Sequence, residues 1–219
     1  MDGAPILDVF PTGPIQANCI VLGDPATRTA AVIDPGDEAE RIVARAEALK
    51  LTITHVLHTH GHLDHAGGTA DLCRRLGREV PVGLHRDELE LYNALPTQAS
   101  MFGMEVEAPP QPTLWLEHGA TLTVGEIELE IRHTPGHSPG GVCFIIHRTV
   151  PPAAIVGDVL FSGSIGRTDL WGGSLEILEQ SIRSQLYTLD NTTRVICGHG
   201  PDTTVGRERA GNPFVRDLA

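Results

Sequence analysis

Val56-Leu57-His58-Thr59-His60-Gly61-His62-Leu63-Asp64-His65 is the stretch around which the chain is organised. Four histidines and an aspartate fall within eight residues, directly after an apolar run. A polar loop of unrelated histidines is the bland alternative, and an ordinary core does not need this density. Imidazole and carboxylate together are a ligand set for zinc, iron or manganese. The alternate spacing of His60 and His62 suits an extended turn whose side chains converge on one point. Asp64 and His65 begin the next element and can face a second ion. The zincin motif, with its histidines one helical turn apart, is absent. His58 lies at the end of the apolar run and is read as structural.

The segment Thr59 to His65 reads Thr-His-x-His-x-Asp-His and resembles the metallo-β-lactamase superfamily. Three later sites follow in the order that resemblance implies. Thr134-Pro135-Gly136-His137-Ser138-Pro139-Gly140-Gly141 offers a histidine on a Gly/Pro turn; Gly157-Asp158 and Gly198-His199-Gly200 each close a buried strand. The resemblance implies an α/β fold, a four-layer αβ/βα sandwich of two similar halves with metals at one edge. It also implies roles: His60, His62 and His137 for a first divalent ion, and Asp64, His65 and His199 for a second. Asp158 would bridge them together with a water or hydroxide. Zinc leads as the expected metal, with iron or manganese also suited to nitrogen and oxygen ligands. Paired ions about 3.5–4 Å apart lower the pKa of a shared water, so neither serine nor cysteine is needed as nucleophile. Asp158 also argues against lactam hydrolysis, because the true lactamases of the superfamily lack a bridging aspartate there. His55, His85, His118, His133 and His147 match no motif position.

Length and composition bound the rest. A chain of 219 residues with 41% apolar content can bury a substantial core as one domain, residues 1–219, and no low-complexity linker divides it. No apolar run approaches the roughly 18 residues that span a bilayer, and the amino terminus lacks a signal-peptide pattern. The net charge of −12 argues against nucleic acid as a partner. Cys19, Cys73, Cys143 and Cys197 are scattered in or beside apolar runs, which fits reduced thiols and a cytoplasmic location.

Along the chain, Ile6–Phe10, Ala17–Leu22 and Thr29–Ile33 read as an antiparallel meander, and Glu38–Leu49 as an amphipathic helix. Ile53–Leu57 is a buried strand that delivers the histidines. Helices are expected at Thr69–Leu76, at Arg86–Asn93 and at Ser174–Leu186. In the last, Ser174 is the N-cap and Leu175, Ile177, Leu178 and Ile182 form the apolar side. Strands are expected at Val80–Leu84, Thr121–Val124, Ile127–Ile131, Val142–Ile146, Ala153–Val156 and Arg194–Cys197. Pro96–Pro112 is the least regular stretch, a surface loop or a lid.

Beyond the ligands, the run from Gly157 through Gly166-Arg167-Thr168-Asp169-Leu170 resembles glyoxalase II-like thioester hydrolases, as does the tail Gly206-Arg207-Glu208-Arg209-Ala210-Gly211-Asn212-Pro213-Phe214. The resemblance implies hydrolysis of a small-molecule thioester such as S-D-lactoylglutathione, in the manner of hydroxyacylglutathione hydrolases, by a monomer or small homo-oligomer. Asp64 would orient the nucleophile and Asp158 would hold the two ions. The chain ends 20 residues after His199, leaving no room for the carboxy-terminal helical domain that binds glutathione in longer relatives. Where those have Lys-x-Tyr, this chain has Arg167-Thr168-Asp169. Arg167 is the candidate for substrate binding through a carboxylate; the competing reading is an internal ion pair with Asp169. The alternative activity is a sulfur dioxygenase using one iron on His60, His137 and Asp158. Other hydrolyses of the superfamily, of phosphodiesters or lactones, stand behind it.

Overall fold

The structure, a computed structural model, describes residues 3–216. Its first half is a six-stranded sheet in sequence order: β1 (Ile6–Thr12), β2 (Ala17–Asp24), β3 (Thr29–Ile33), β4 (Thr52–Leu57), β5 (Val82–Leu84) and β6 (Leu114–Trp115). β1 to β3 form the expected antiparallel meander; β3 to β6 run parallel. Parallel neighbours need crossovers, and helices supply them. These are α1 (Ala39–Ala48), α2 (Leu63–Ala66), α3 (Thr69–Leu76), α4 (Leu89–Asn93) and α5 (Leu95–Met101).

The second half contains β7 (Thr121–Val124), β8 (Ile127–His133), β9 (Val142–Ile146), β10 (Ala153–Gly157), the hairpin β11 (Leu160–Phe161) and β12 (Ser164–Ile165), β13 (Arg194–Cys197) and β14 (Thr203–Thr204). Its main sheet has the order β14-β13-β10-β9-β8-β7. The helices α6 (Leu175–Ser181) and α7 (Val205–Gly211) cover it.

Period-two alternation explains the layers. On β2, Cys19 and Val21 face α1 to α5 while Ile20 and Leu22 face the other sheet. On β9, Phe144 and Ile146 meet that inter-sheet core, and Cys143 and Ile145 pack with Leu178, Ile182 and Leu186 behind. Both faces of both sheets are therefore covered, which is why these strands read as unbroken apolar runs. The result is the α/β four-layer sandwich expected from the sequence. Phe144 is fully buried at its centre, and truncation to alanine there costs about 3–5 kcal/mol.

Two expectations need correction. Pro96–Met101 is helical, not irregular: Pro96 sits in the first turn of α5, where its missing N–H costs nothing. The helix begun by Ser174, whose Oγ accepts from Ile177 N–H at 3.4 Å, changes to a wider turn over Ile182–Leu186. Leu175 and Ile177 are exposed; the inward face is Leu178, Ser181 and Ile182, with Ser181 Oγ donating to Pro135 O at 2.7 Å. All four cysteines are unpaired, and among the described residues no helix is long and apolar enough to cross a membrane.

Candidate metal centre

Strand direction places every candidate ligand at one edge. β3 and β4 run parallel, so Asp34 and the histidine segment leave the first sheet together. β8 and β10 both pair antiparallel with β9, and β10 runs parallel to β13. His137, Asp158 and His199 therefore follow strands that end on the same side. The two edges are stitched by backbone: Val142 N–H donates to Thr59 O at 2.8 Å and Asn18 N–H to Gly198 O at 2.7 Å.

His60, His62 and His137 converge, with ring centroids 4.7 to 4.9 Å apart. His62 Nδ1 and His137 Nε2 are separated by only 2.9 Å. Two of the three rings are anchored through their outer nitrogens: His137 Nδ1 lies 2.8 Å from Arg167 O, and His60 Nδ1 lies 3.0 Å from Thr59 Oγ1. Such partners fix ring orientation at metal sites. A second group holds Asp64, His65 and His199, with His199 Nε2 3.1 Å from Asp64 Oδ2. Asp158 lies between the groups: Oδ1 is 3.3 Å from His65 Nε2, and Oδ2 is 3.5 Å from His199 Nε2 and 3.7 Å from His137 Nε2.

The residues fit a pair of cations. His60 Nε2 is buried without a hydrogen-bond partner in the described structure, and His65 Nε2 and Asp158 Oδ1 are buried with only each other at 3.3 Å. Orphaned polar atoms are rare in a packed interior, and these three crowd toward one centre. Their titration agrees. Burial and neighbouring imidazoles hold His60 well below the usual histidine pKa, and burial with His137 holds His62 at about 4. Burial also lowers His137. These rings keep free lone pairs at neutral pH. In the second group burial opposes charge on His65 and His199, but Asp158 and Asp64 outweigh it, raising His65 strongly and His199 to about 9. Burial likewise opposes charge on Asp158, and His65 overcomes it, keeping the carboxylate ionised. Without a cation the two carboxylates thus favour protons on His65 and His199, a charge that bound cations would replace.

Several supporting residues were not foreseen. Asp34 follows directly after β3. It is buried, accepts from Thr59 N–H at 2.7 Å and Thr59 Oγ1 at 2.6 Å, and lies 3.0 Å from His65 Nδ1. Asn18 Nδ2 donates to Cys197 O and Gly200 O, holding the His199 turn. Gln98 Nε2 donates to Gly61 O at 3.1 Å, and its Oε1 accepts from Leu63 N–H at 3.0 Å. In the tail motif, Glu208 accepts from Gly163 N–H and Asn212 donates to Ser164 O, bracing the loop that follows Asp158. His58 is buried between Gly83 O and Thr69 Oγ1, as its structural reading requires. The Arg167 guanidinium is exposed and doubly bonded to Asp169, at 2.8 and 2.9 Å.

Fold and site together define an enzyme of the metallo-hydrolase kind. The family model of the metallo-β-lactamase superfamily matches residues 12–199, and the chain belongs to that superfamily. The hydroxyacylglutathione hydrolase GloC of Haemophilus influenzae is 40% identical over 210 residues, covering 95% of this chain and 97% of its own. Among solved structures, the B3 metallo-β-lactamase BLEG-1 has a TM-score of 0.87 at 35% identity, covering 97% of this chain and 100% of that one. TTHA1623 in a di-iron-bound form has a TM-score of 0.85 at 37% identity, covering 94% and 99%.

Proposed function

We propose that the chain hydrolyses acyl thioesters at a binuclear metal centre, with a hydroxyacyl thiol ester as the substrate class. The observation that carries this reading is the placement of Asp158 between two ligand groups, its two oxygens facing both. His60, His62, His137 and Asp158 would hold one ion, and Asp64, His65, His199 and Asp158 the other. Two divalent ions held there would supply Lewis acidity, polarising a carbonyl and activating water near neutral pH.

The chain's own residues do the rest. Neutral His60 and His62 present lone pairs inward, and His137 is aimed by the Arg167 carbonyl. Asp64, itself part of the second group, can accept a hydrogen bond from an incoming water and orient it. Burial pushes the Cys143 and Cys197 thiols up to about 12, and raises Cys19 and Cys73. Thiols held this way are poor nucleophiles, which supports attack by water. A thiolate leaves readily, so no strong general acid is required beside the leaving atom.

The named activity of the Haemophilus relative supports a thioester. A groove beside Asp64, about 460 Å³ and open to solvent, is lined by Ile15, Leu63, Met104 and Val106 with the acids Asp37 and Glu105. Among the described residues no Lys or Arg lines it, so it favours an apolar or uncharged arm over a carboxylate-bearing one. Arg167 is left as the binder of any substrate carboxylate. Iron is a candidate metal alongside zinc, given the di-iron form of TTHA1623.

The test is a panel on one purified, metal-analysed preparation: thiol release from S-D-lactoylglutathione and from neutral thioesters, oxygen uptake with glutathione persulfide, and opening of a cephalosporin. Thiol release with two ions per chain supports the proposal. Oxygen uptake with a single iron, or lactam opening without thioester cleavage, would replace it.

A further inference from the structure

Glu88 is a charged side chain with no solvent exposure. It lies in the short turn Arg86–Glu88 that precedes α4. Its Oε2 accepts from Gly61 N–H at 2.7 Å, and its Oε1 accepts from Gly140 N–H at 2.6 Å. Gly61 separates His60 from His62. Gly140 closes the turn that carries His137. One carboxylate therefore grips both loops of the three-histidine group, one from each half of the fold.

The surroundings are built for that grip. A Cβ at Gly61 would stand 3.0 Å from Tyr92 N and 3.1 Å from Glu88 Oε2, and one at Gly140 would stand 2.7 Å from His85 Nδ1 and 2.9 Å from Glu88 N. Neither glycine has a positive φ. Each is glycine because the segment from His85 to Tyr92, Glu88 included, packs closely against its backbone, not because the turn demands left-handed geometry. Among the described residues no Lys, Arg or His forms an ion pair with Glu88, and burial pushes its carboxyl pKa up. A buried carboxylate without a cationic partner is costly. An apolar side chain would fill the volume more cheaply but leave two N–H groups unpaired. Only a carboxylate offers an acceptor to both loops; an amide offers one oxygen and turns its N–H₂ toward the other donor.

We infer that Glu88 is a positioning residue for the first metal site, presetting His60, His62 and His137 by holding Gly61 and Gly140 at a fixed separation. The inference rests on the reading that these three histidines hold an ion, and on nothing about the substrate. The second group is anchored separately, by Asp34 and Asn18. Loss of the Glu88 grip should therefore be selective between the two sites.

The experiment is chelator competition on the zinc-loaded full chain, repeated with cobalt(II) so that its visible bands report each site. Three proteins are compared: wild type, Glu88→Gln, and Phe144→Leu as a variant destabilised in the inter-sheet core. Glu88→Gln should release one ion with affinity lowered about 10–100-fold, the range for losing a partner behind a metal ligand. The other ion should stay within about threefold of wild type, because the partners behind its own ligands are intact. Phe144→Leu should keep both affinities despite a lower melting temperature. Unchanged release of both ions from Glu88→Gln, or equal weakening of both, overturns the inference. A wild type that binds no ion at the three histidines overturns the site reading instead. If Glu88→Gln does not fold, amide exchange in zinc-loaded wild type decides. Slow exchange and downfield shifts at both Gly61 and Gly140 are expected, and rapid exchange at either glycine overturns the grip.

Discussion

The Asp34 carboxylate lies 3.0 Å from the His65 imidazole, and both side chains are buried. The contact is made to Nδ1, which leaves Nε2 facing Asp158 and Asp64. Asp34 occupies a left-handed backbone position, φ 54°, at the end of β3. Aspartate tolerates that region better than branched residues. Asp34→Ala should strand Thr59 N–H, Thr59 Oγ1 and His65 Nδ1 in the interior. Each orphaned group costs about 1–3 kcal/mol. A total near 3 kcal/mol corresponds to about 6–12 °C in melting temperature for a chain of this size. Asp34→Asn, which keeps one acceptor and suits the backbone, should lose less. Calorimetry with metal analysis checks this; equal melting temperatures for wild type and Asp34→Ala would remove Asp34 from the support of the site.

Asp158→Ala should separate the two ligand groups. The carboxylate that lies within 3.7 Å of His65, His137 and His199 disappears. We predict a fall in kcat of at least about a hundredfold, the scale of losing a key electrostatic element, with the fold retained because the inter-sheet core is untouched. A variant that retains two ions and near-normal turnover would show that Asp158 bridges nothing.

Metal removal should lower stability without unfolding the chain. His65 and His199, protonated beside Asp64 and Asp158, take over part of the charge balance. Ligand linkage gives about 4 kcal/mol of stabilisation at a free-metal concentration a thousandfold above Kd. Melting temperature should therefore rise with the logarithm of free zinc. A melting temperature indifferent to zinc would mean that folding and metal binding are not linked.

Arg167→Ala tests substrate recognition. Its guanidinium is exposed and already paired with Asp169, and such pairs are weakly held against solvent. A substrate carboxylate can therefore displace Asp169. We predict a roughly tenfold rise in KM for an anionic thioester, the scale of a charged hydrogen bond, with kcat and neutral thioesters unaffected. Asp169→Asn should lower KM for the anionic substrate. If both variants match wild type on both substrates, the pair is a surface feature with no part in binding.

The ligands were legible because they come in clusters or at glycine-flanked strand ends, and because imidazole and carboxylate in that pattern have few other uses. The strands were legible from their unbroken apolar runs, and the layers from the superfamily resemblance that the ligand motifs carry. What stayed hidden was long-range polar support. Asp34 meets Thr59 25 positions away, Glu88 meets Gly140 across 52 positions, and Asn18 meets Cys197 across 179. Nothing local distinguishes these residues from turn, helix or strand polars. The α5 helix was masked by Pro96, a helix breaker everywhere except in the first turn that it occupies. Leu175 and Ile177 misled because helical periodicity gives the spacing of a face, not which side the sheet will cover.

Stoichiometric reconstitution tests the central claim most directly. Metal-free protein is titrated with zinc or iron(II) while thiol release from S-D-lactoylglutathione, or from a neutral thioester if that is preferred, is followed at each addition. The binuclear account predicts little hydrolysis at one equivalent and a plateau at two equivalents per chain. A plateau at one equivalent, with no further gain as His65 and His199 fill, would contradict it.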